Sequence, residues 1–250
     1  MIIVIVMPTY NEASCIGDMV RVLTEKVFPE IVDAEMHLLV VDDDSPDGTG
    51  QIVRDLALRH PNLHLLTGPK KGLGWAYVRG MKHAMTTLHA AAVIEMDGDF
   101  QHDPSYIAPM VRQFRDGADY VIGSRYVQGG SVPASWQRHR KFMSYWGNQA
   151  ARRVLKAPHL HDLTTGFRLS RVNGVLDQIV LEDLMELDCF AFKVDLLWET
   201  VQHARRIEEL PIHFQERRKG ATKFSLRELA ATIRVLLRLR AKSSRRTPSP

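Results

Sequence analysis

Cysteine is nearly missing: the 250 residues contain only Cys15 and Cys189, far apart and without CxxC spacing. That argues against a disulfide framework and a zinc ribbon and points to a reducing compartment. A chain of this length has core enough to fold without either staple. No apolar run approaches the roughly 20 residues that cross a bilayer. The most continuous, Met1–Met7, has no basic leader and stops at Pro8, so it reads as a buried strand and not as a signal peptide. The loop Gly68–Gly74 (GPKKGLG) lacks both the GxGxxG of dinucleotide folds and the GK(S/T) of P-loops, which disfavours a dehydrogenase and a P-loop nucleotidase. No internal repeat is present.

Net charge is also small, +4 from 33 Lys and Arg against 29 Asp and Glu, but it is unevenly spread. Residues 217–246 hold eleven Lys and Arg against one acid, Glu228, a local +10 that leaves −6 on the rest. One end of the chain is strongly basic and the remainder acidic, an asymmetry that asks for a functional reason.

What is there is a β-α alternation. Apolar runs at Ile2–Met7, His37–Val41, Leu63–Leu66, Ala91–Met96 and Tyr120–Ile122 are bounded by turn residues, as strands buried on both faces are. Helix-length stretches lie between them, at about Ala13–Lys26, Gly50–Arg59, Trp75–His89 and Ser105–Arg115, the last entered through Asp103 and Pro104. Arg138–Leu155 predicts a further, basic helix; Asp162–Arg168 (DLTTGFR) reads as a turn, and the remainder mixes short strands with helices. The pattern predicts an α/β fold with an open, mostly parallel, Rossmann-like sheet flanked by helices. Ligands of such sheets bind beyond the carboxyl ends of the strands. There the sequence places Pro-Thr-Tyr-Asn-Glu (8–12), Asp-Asp-Asp-Ser-Pro-Asp-Gly (42–48), Asp-Gly-Asp-Phe-Gln (97–101) and Gly-Ser-Arg (123–125).

Asp97 and Asp99, separated by the small Gly98, present two carboxylates suited to one hard divalent cation such as Mg2+ or Mn2+, with Gln101 offering a neutral oxygen. The plain alternative is an Asp-rich turn that caps a helix. Asp42, Asp43 and Asp44 crowd three like charges, which is unfavourable unless ribose hydroxyls, base-edge donors or a cation use them. Asp47 and Thr49 are alternatives as caps for the helix near Gly50.

PTYNE (8–12), VVDDDSPDGT (40–49), GLGWAYVRG (72–80), EMDGDFQHDP (95–104) and GSRYVQGG (123–130), in this order and spacing, resemble the family-2 inverting glycosyltransferases with a GT-A fold. SWQRHRKFMS (135–144), DLTTGFR (162–168) and QERRKGATKFS (215–225) extend the likeness, over about residues 2–225, toward the polyprenyl-phosphate (dolichyl-phosphate) mannose synthases within that family. The resemblance implies a nucleotide site at Pro8, Tyr10, Glu12, Val41 and Asp43, and a metal and diphosphate segment at Asp97, Gly98, Asp99 and Gln101. It also implies phosphate-binding cations at Arg125, Arg140 and Arg217, with Ser144 one turn after Arg140 and Lys223 in the last motif. For Arg140 a solvated basic helix is the competing reading, since Arg138, His139 and Lys141 adjoin it. Asp99, Arg125, Arg140 and Arg217 are the residues expected to carry the reaction: mannose passing from GDP-mannose to a polyprenyl monophosphate with inversion.

The expected organisation is a GT-A catalytic domain over 1–224, an amphipathic basic helix over 225–242 and a disordered Ser/Pro/Arg-rich tail over 243–250. In that helix Leu226, Leu229, Ile233, Leu236, Leu237 and Leu239 gather on or near one side, and the expectation is a peripheral enzyme on the cytosolic face of a membrane. A helix packed on the domain core is the alternative, and an integral membrane partner is left open. A UDP-glucose-dependent polyprenyl-phosphate glucosyltransferase, or a family-2 enzyme acting on a glycan hydroxyl, competes as donor and acceptor reading. A silent scaffold is disfavoured by the intact motifs. A basic nucleic-acid-binding protein is disfavoured too, because Asp42–Asp44, Asp97 and Asp99 would repel phosphate without a metal.

Overall fold

The computed structural model describes residues 1–216 and 226–245, apart from the side chains of residue 226 and of 243–245. Five strands arise from the apolar runs: β1 (Ile2–Thr9), β2 (Glu35–Asp42), β3 (Leu63–Thr67), β4 (Ala92–Glu95) and β5 (Tyr120–Ser124). Two more, β6 (Arg168–Arg171) and β7 (Ile207–Pro211), complete a seven-stranded sheet in the order β3-β2-β1-β4-β6-β5-β7. All neighbours are parallel except β6, which runs antiparallel to both β4 and β5. The expected mostly parallel sheet is therefore present.

β1 shows why the runs form strands. Ile3, Ile5 and Met7 enter one core cluster while Val4 and Val6 enter another, the two-residue alternation of a pleated strand with both faces covered. The first face is closed by α1 (Ile16–Arg21), which continues as a π turn over Val22–Val27, by α2 (Thr49–Ala57) and by α4 (Ile107–Arg115). α3 (Leu73–Thr86) closes the second. A third cluster joins α5 (Arg138–Val154), α6 (Phe192–His203) and α7 (Leu226–Arg245) to Tyr120 and Ile122 of β5. The Asp103–Pro104 entry holds: Asp103 Oδ1 accepts the Ser105 N–H at 2.9 Å.

α3 lies close on the sheet. A Cβ at Gly80 would stand 2.5 Å from Val6 Cγ1 and 2.7 Å from Val41 Cγ2. In a helix interior Gly→Ala ordinarily gains up to about 1 kcal/mol. Here overpacking should reverse the sign, so Gly80→Ala is expected to destabilise by about 1–3 kcal/mol in urea denaturation.

Two expectations for the C-terminus are corrected. The helix extends through Arg245, so residues 243–245 belong to it and not to a tail, while 246–250 lie outside the described residues. The apolar side of α7 is also not a free face. Ala231, Val235, Leu236 and Leu239 are buried in the third cluster, with apolar residues of α5 and α6. Ile233 and Leu237 stay exposed. No described helix is long and apolar enough to cross a membrane.

Candidate active site

The carboxyl ends of β1, β2, β4 and β5 open on one rim, and the antiparallel β6 brings its entry segment, Asp162–Phe167, to the same edge. At the β1 end, Tyr10 lies under the Lys70 ammonium, 3.4 Å from its ring centroid. Lys70 belongs to the GPKKGLG loop, which matches no phosphate motif yet reaches the rim. Glu12 follows in the same loop; its N–H donates to Thr49 Oγ1 at 3.0 Å and its carboxylate accepts from Cys15 Sγ. Burial, aided by Glu12, pushes the Cys15 thiol up to about 12, so it is no nucleophile at neutral pH.

The acidic run after β2 divides by environment. Asp42 is inside, accepting from Thr9 Oγ1 and from both the N–H and the hydroxyl of Ser45, so it holds the turn. Asp43 is buried beside Val41 and accepts from Arg79 Nη2 at 2.9 Å. Burial raises its carboxyl above the usual range in spite of Arg79. Asp44 is exposed with φ +48°. Asp47 accepts from Thr49 N–H and Oγ1 and from Ala13 N–H, and those bonds outweigh burial to keep it below the usual range. The helix thus starts at Thr49 behind Gly48.

The loop after β4 carries Asp97, Asp99 and Gln101. The side chain of Asp97 is 32 % exposed, while Asp99 is 5 % exposed and accepts the Gln101 N–H at 3.0 Å. Two carboxylates and an amide make an all-oxygen donor set, which fits a hard divalent cation. Gly98 packs on β1: a Cβ there would stand 3.2 Å from Met7 Sδ, a tight contact that the methionine side chain would have to yield to. His102 Nδ1 accepts the Asp97 N–H at 3.1 Å, putting any ring proton on Nε2. Burial, reinforced by Lys193, Arg125 and Arg168 against the pull of Asp97, brings its pKa down to about 4 and leaves it neutral.

Arginine forms the opposite wall. Arg125, at the end of β5, is buried and donates Nε and Nη2 to Asp162 at 2.7 and 2.8 Å, and Nη2 to Thr164 at 2.7 Å. Arg140, in the first turn of α5, lies 3.8 Å over the Trp136 ring. Burial and the charge of Arg125 both lower its pKa, so the two guanidiniums repel. Phe214 stands edge-on to His102 and to Trp136 and 5.5 Å from Arg125, which links this wall to the Asp97–Asp99 loop. Ser144 hydrogen-bonds Tyr126. Arg217 and Lys223 lie outside the described residues.

Sequence reasoning passed over Lys70, Tyr77, Arg79, Asp162 and Thr164, although all but Lys70 lie inside quoted motifs. The usable signal was the three-residue spacing of Tyr77 and Gly80 on α3, which turns both toward the sheet. Among the described residues, the one triad of converging potential ligands is Glu186, Asp188 and Cys189. Glu186 and Asp188 are paired with Arg234 and Arg227, so that triad is an ion-pair patch.

The profile of Glycosyl transferase family 2 matches residues 4–176. A polyprenol monophosphomannose synthase of Mycolicibacterium smegmatis is 36 % identical over 225 residues, 88 % of this chain and 80 % of that one. An undecaprenyl-phosphate mannosyltransferase of Micrococcus luteus is 35 % identical over 221 residues, 88 % of this chain and 86 % of that one. Among solved structures, a Pyrobaculum calidifontis mannosyltransferase in complex with GDP-Man and Mn2+ superposes with a TM-score of 0.56 at 19 % identity, over 100 % of this chain and 65 % of that one. At that identity the likeness speaks for the fold alone, the GT-A fold that the motifs implied. A profile covering more than half of the sequence, joined to identities above 30 % along most of its length, settles the assignment: the chain belongs to glycosyl transferase family 2.

Proposed function

We propose that the protein transfers mannose from GDP-mannose to a polyprenyl (dolichyl) monophosphate with inversion, giving polyprenyl-phosphate mannose and GDP. The observation that carries this reading is the opposition of two unlike walls on one rim: the all-oxygen Asp97–Asp99–Gln101 loop, and the Arg125–Arg140 pair beyond Phe214. Bound by those oxygens, Mg2+ or Mn2+ would neutralise the diphosphate as it leaves. Pro8, Tyr10, Glu12, Val41 and Asp43 hold the nucleoside side, and Gly98 keeps the diphosphate close to β1. A dianion at this wall offsets the repulsion that Arg125, itself paired with Asp162, exerts on Arg140, which suits the acceptor phosphate. Ser144, Arg217 and Lys223 complete that socket in this reading. A phosphate oxygen is already ionised near neutral pH, so no side chain has to remove a proton, and positioning supplies much of the rate. The mannose named in both bacterial relatives favours GDP-mannose over UDP-glucose.

The test offers radiolabelled GDP-mannose or UDP-glucose with a polyprenyl phosphate and Mg2+ or Mn2+. Label should reach the lipid phase from GDP-mannose. Transfer from UDP-glucose alone would replace the donor, and transfer from neither would end the reading.

The acceptor lies in a membrane, and α5 offers the surface to meet it. Phe142, Met143, Tyr145 and Trp146 are exposed on the helix that carries Arg140, with Arg138, Arg152 and Arg153 beside them. Aromatic and basic residues on one helix suit an anionic lipid surface, at about 1 kcal/mol per cation near it. Replacing Phe142 and Trp146 together with glutamate should cut flotation with anionic liposomes about tenfold. Undiminished flotation would move the contact elsewhere.

A further inference from the structure

Beneath the Asp97–Asp99 loop lies an ionic cluster that none of these roles uses. Lys193 of α6 and Glu95 at the end of β4, 98 residues apart, form an ion pair with side chains 0 % and 1 % exposed. The same ammonium lies 3.4 Å from the centroid of the Tyr77 ring. Tyr77, fully buried on α3, donates its hydroxyl to Asp97 Oδ1 at 3.1 Å. Arg168 of β6 secures α6 from behind, donating Nη1 to the Lys193 carbonyl at 2.7 Å. Four elements therefore meet in one cluster, and its Tyr77 hydroxyl reaches the Asp97 carboxylate of the rim.

Stability is a poor explanation for this arrangement. A buried ion pair is seldom more stable than apolar side chains of the same volume, and here Glu95 Oε1 and Arg168 Nε have no hydrogen-bond partner. The cluster does have one directional output, the Tyr77 hydroxyl. A carboxylate is broadly free about its last torsion, and a single fixed donor removes that freedom.

We propose that Tyr77 is a positioning residue for Asp97: its hydroxyl commits Oδ1 to the protein and leaves Oδ2 to a divalent cation, while the Lys193–Glu95 pair clamps the ring beneath. The proposal rests on the reading of Asp97 as a cation ligand. It predicts that cation affinity is set from the core, through a residue that touches neither substrate nor metal.

Tyr77→Phe keeps the ring under Lys193 and deletes only the hydroxyl. Mn2+ binding to the full chain, followed by electron paramagnetic resonance with GDP present, should weaken about tenfold. GDP affinity in the presence of a chelator, measured by calorimetry, should not change. Unaltered Mn2+ affinity would overturn the proposal, and so would a parallel loss of metal-free GDP binding, which would mark general loosening. Absence of Mn2+ binding in the unsubstituted protein would remove the cation reading of Asp97 and this proposal together. Weak Mn2+ binding in Asp97→Asn beside normal binding in Tyr77→Phe would remove this proposal alone.

Discussion

Asp99→Ala is expected to lower the rate of mannosyl transfer by about 10³-fold at saturating Mn2+, with folding retained. The size of the effect follows from what the reaction needs. A diphosphate leaves with its charge, and a carboxylate held in a dry site has no substitute once removed, because water cannot take its place at fixed geometry. Asp99 is that carboxylate on the proposed reading: 5 % exposed, on a loop rooted in a strand whose four residues are all buried. Folding should survive because the loop has other anchors. Phe100 is buried with φ +65°, Gly98 packs on Met7, and His102 accepts the Asp97 N–H. Loss of the Asp99–Gln101 hydrogen bond costs about 1 kcal/mol. The check is radiolabel transfer beside a thermal melt; an intact rate would take Asp99 out of the site.

The second large effect is on stability. Asp162 is fully buried and accepts from Nε, Nη2 and the N–H of Arg125, from the N–H and hydroxyl of Thr164, and from the N–H of Thr165. Burial alone would raise its carboxyl, but the charge and hydrogen bonds of Arg125 outweigh it and hold the group below the usual range. Asp162→Asn keeps the volume and strands a buried guanidinium, so a loss of about 3–5 kcal/mol is expected in urea denaturation. The pH dependence has a definite sign. A carboxyl whose folded pKa is depressed adds stability above its unfolded value, about 3.9, and loses it as pH falls toward the folded value. The gap between the two proteins should hold from pH 8 to about 5 and narrow below about 4.

The first five strands were legible because the run that announces each is short and dominated by apolar residues, with His37, His64 and Glu95 as its polar members. β6 was not. Its four residues, RLSR, hold a fully buried Arg168 and a half-buried Arg171, a composition that reads as surface. β7, IEELP, is half-exposed along its length at the sheet edge and so lacks the apolar signature. α6 carries Lys193 and Asp195 inside the protein, and burial lifts the Asp195 carboxyl to about 6. No periodicity rule assigns such residues to a core. At the rim, motifs identified the residues but not their partners. Asp43–Arg79, Arg125–Asp162 and Glu95–Lys193 span 36, 37 and 98 residues, and contacts that long are set by topology rather than spacing.

The strand order has a consequence for how such an enzyme can diversify. Along the rim the stations run from Asp43 just after β2, through the β1 loop and the β4 loop, past the entry to β6, to Arg125 just after β5. On the proposed reading, every donor-side residue named falls before residue 102, and every acceptor-side residue after 124. One contiguous half of the gene thus encodes the choice of what is given and the other the choice of what receives it. The antiparallel β6, laid between β4 and β5, belongs by sequence to the second half and is where that half meets the first in the sheet. Recombination between residues 102 and 124 would exchange one specificity and leave the other intact.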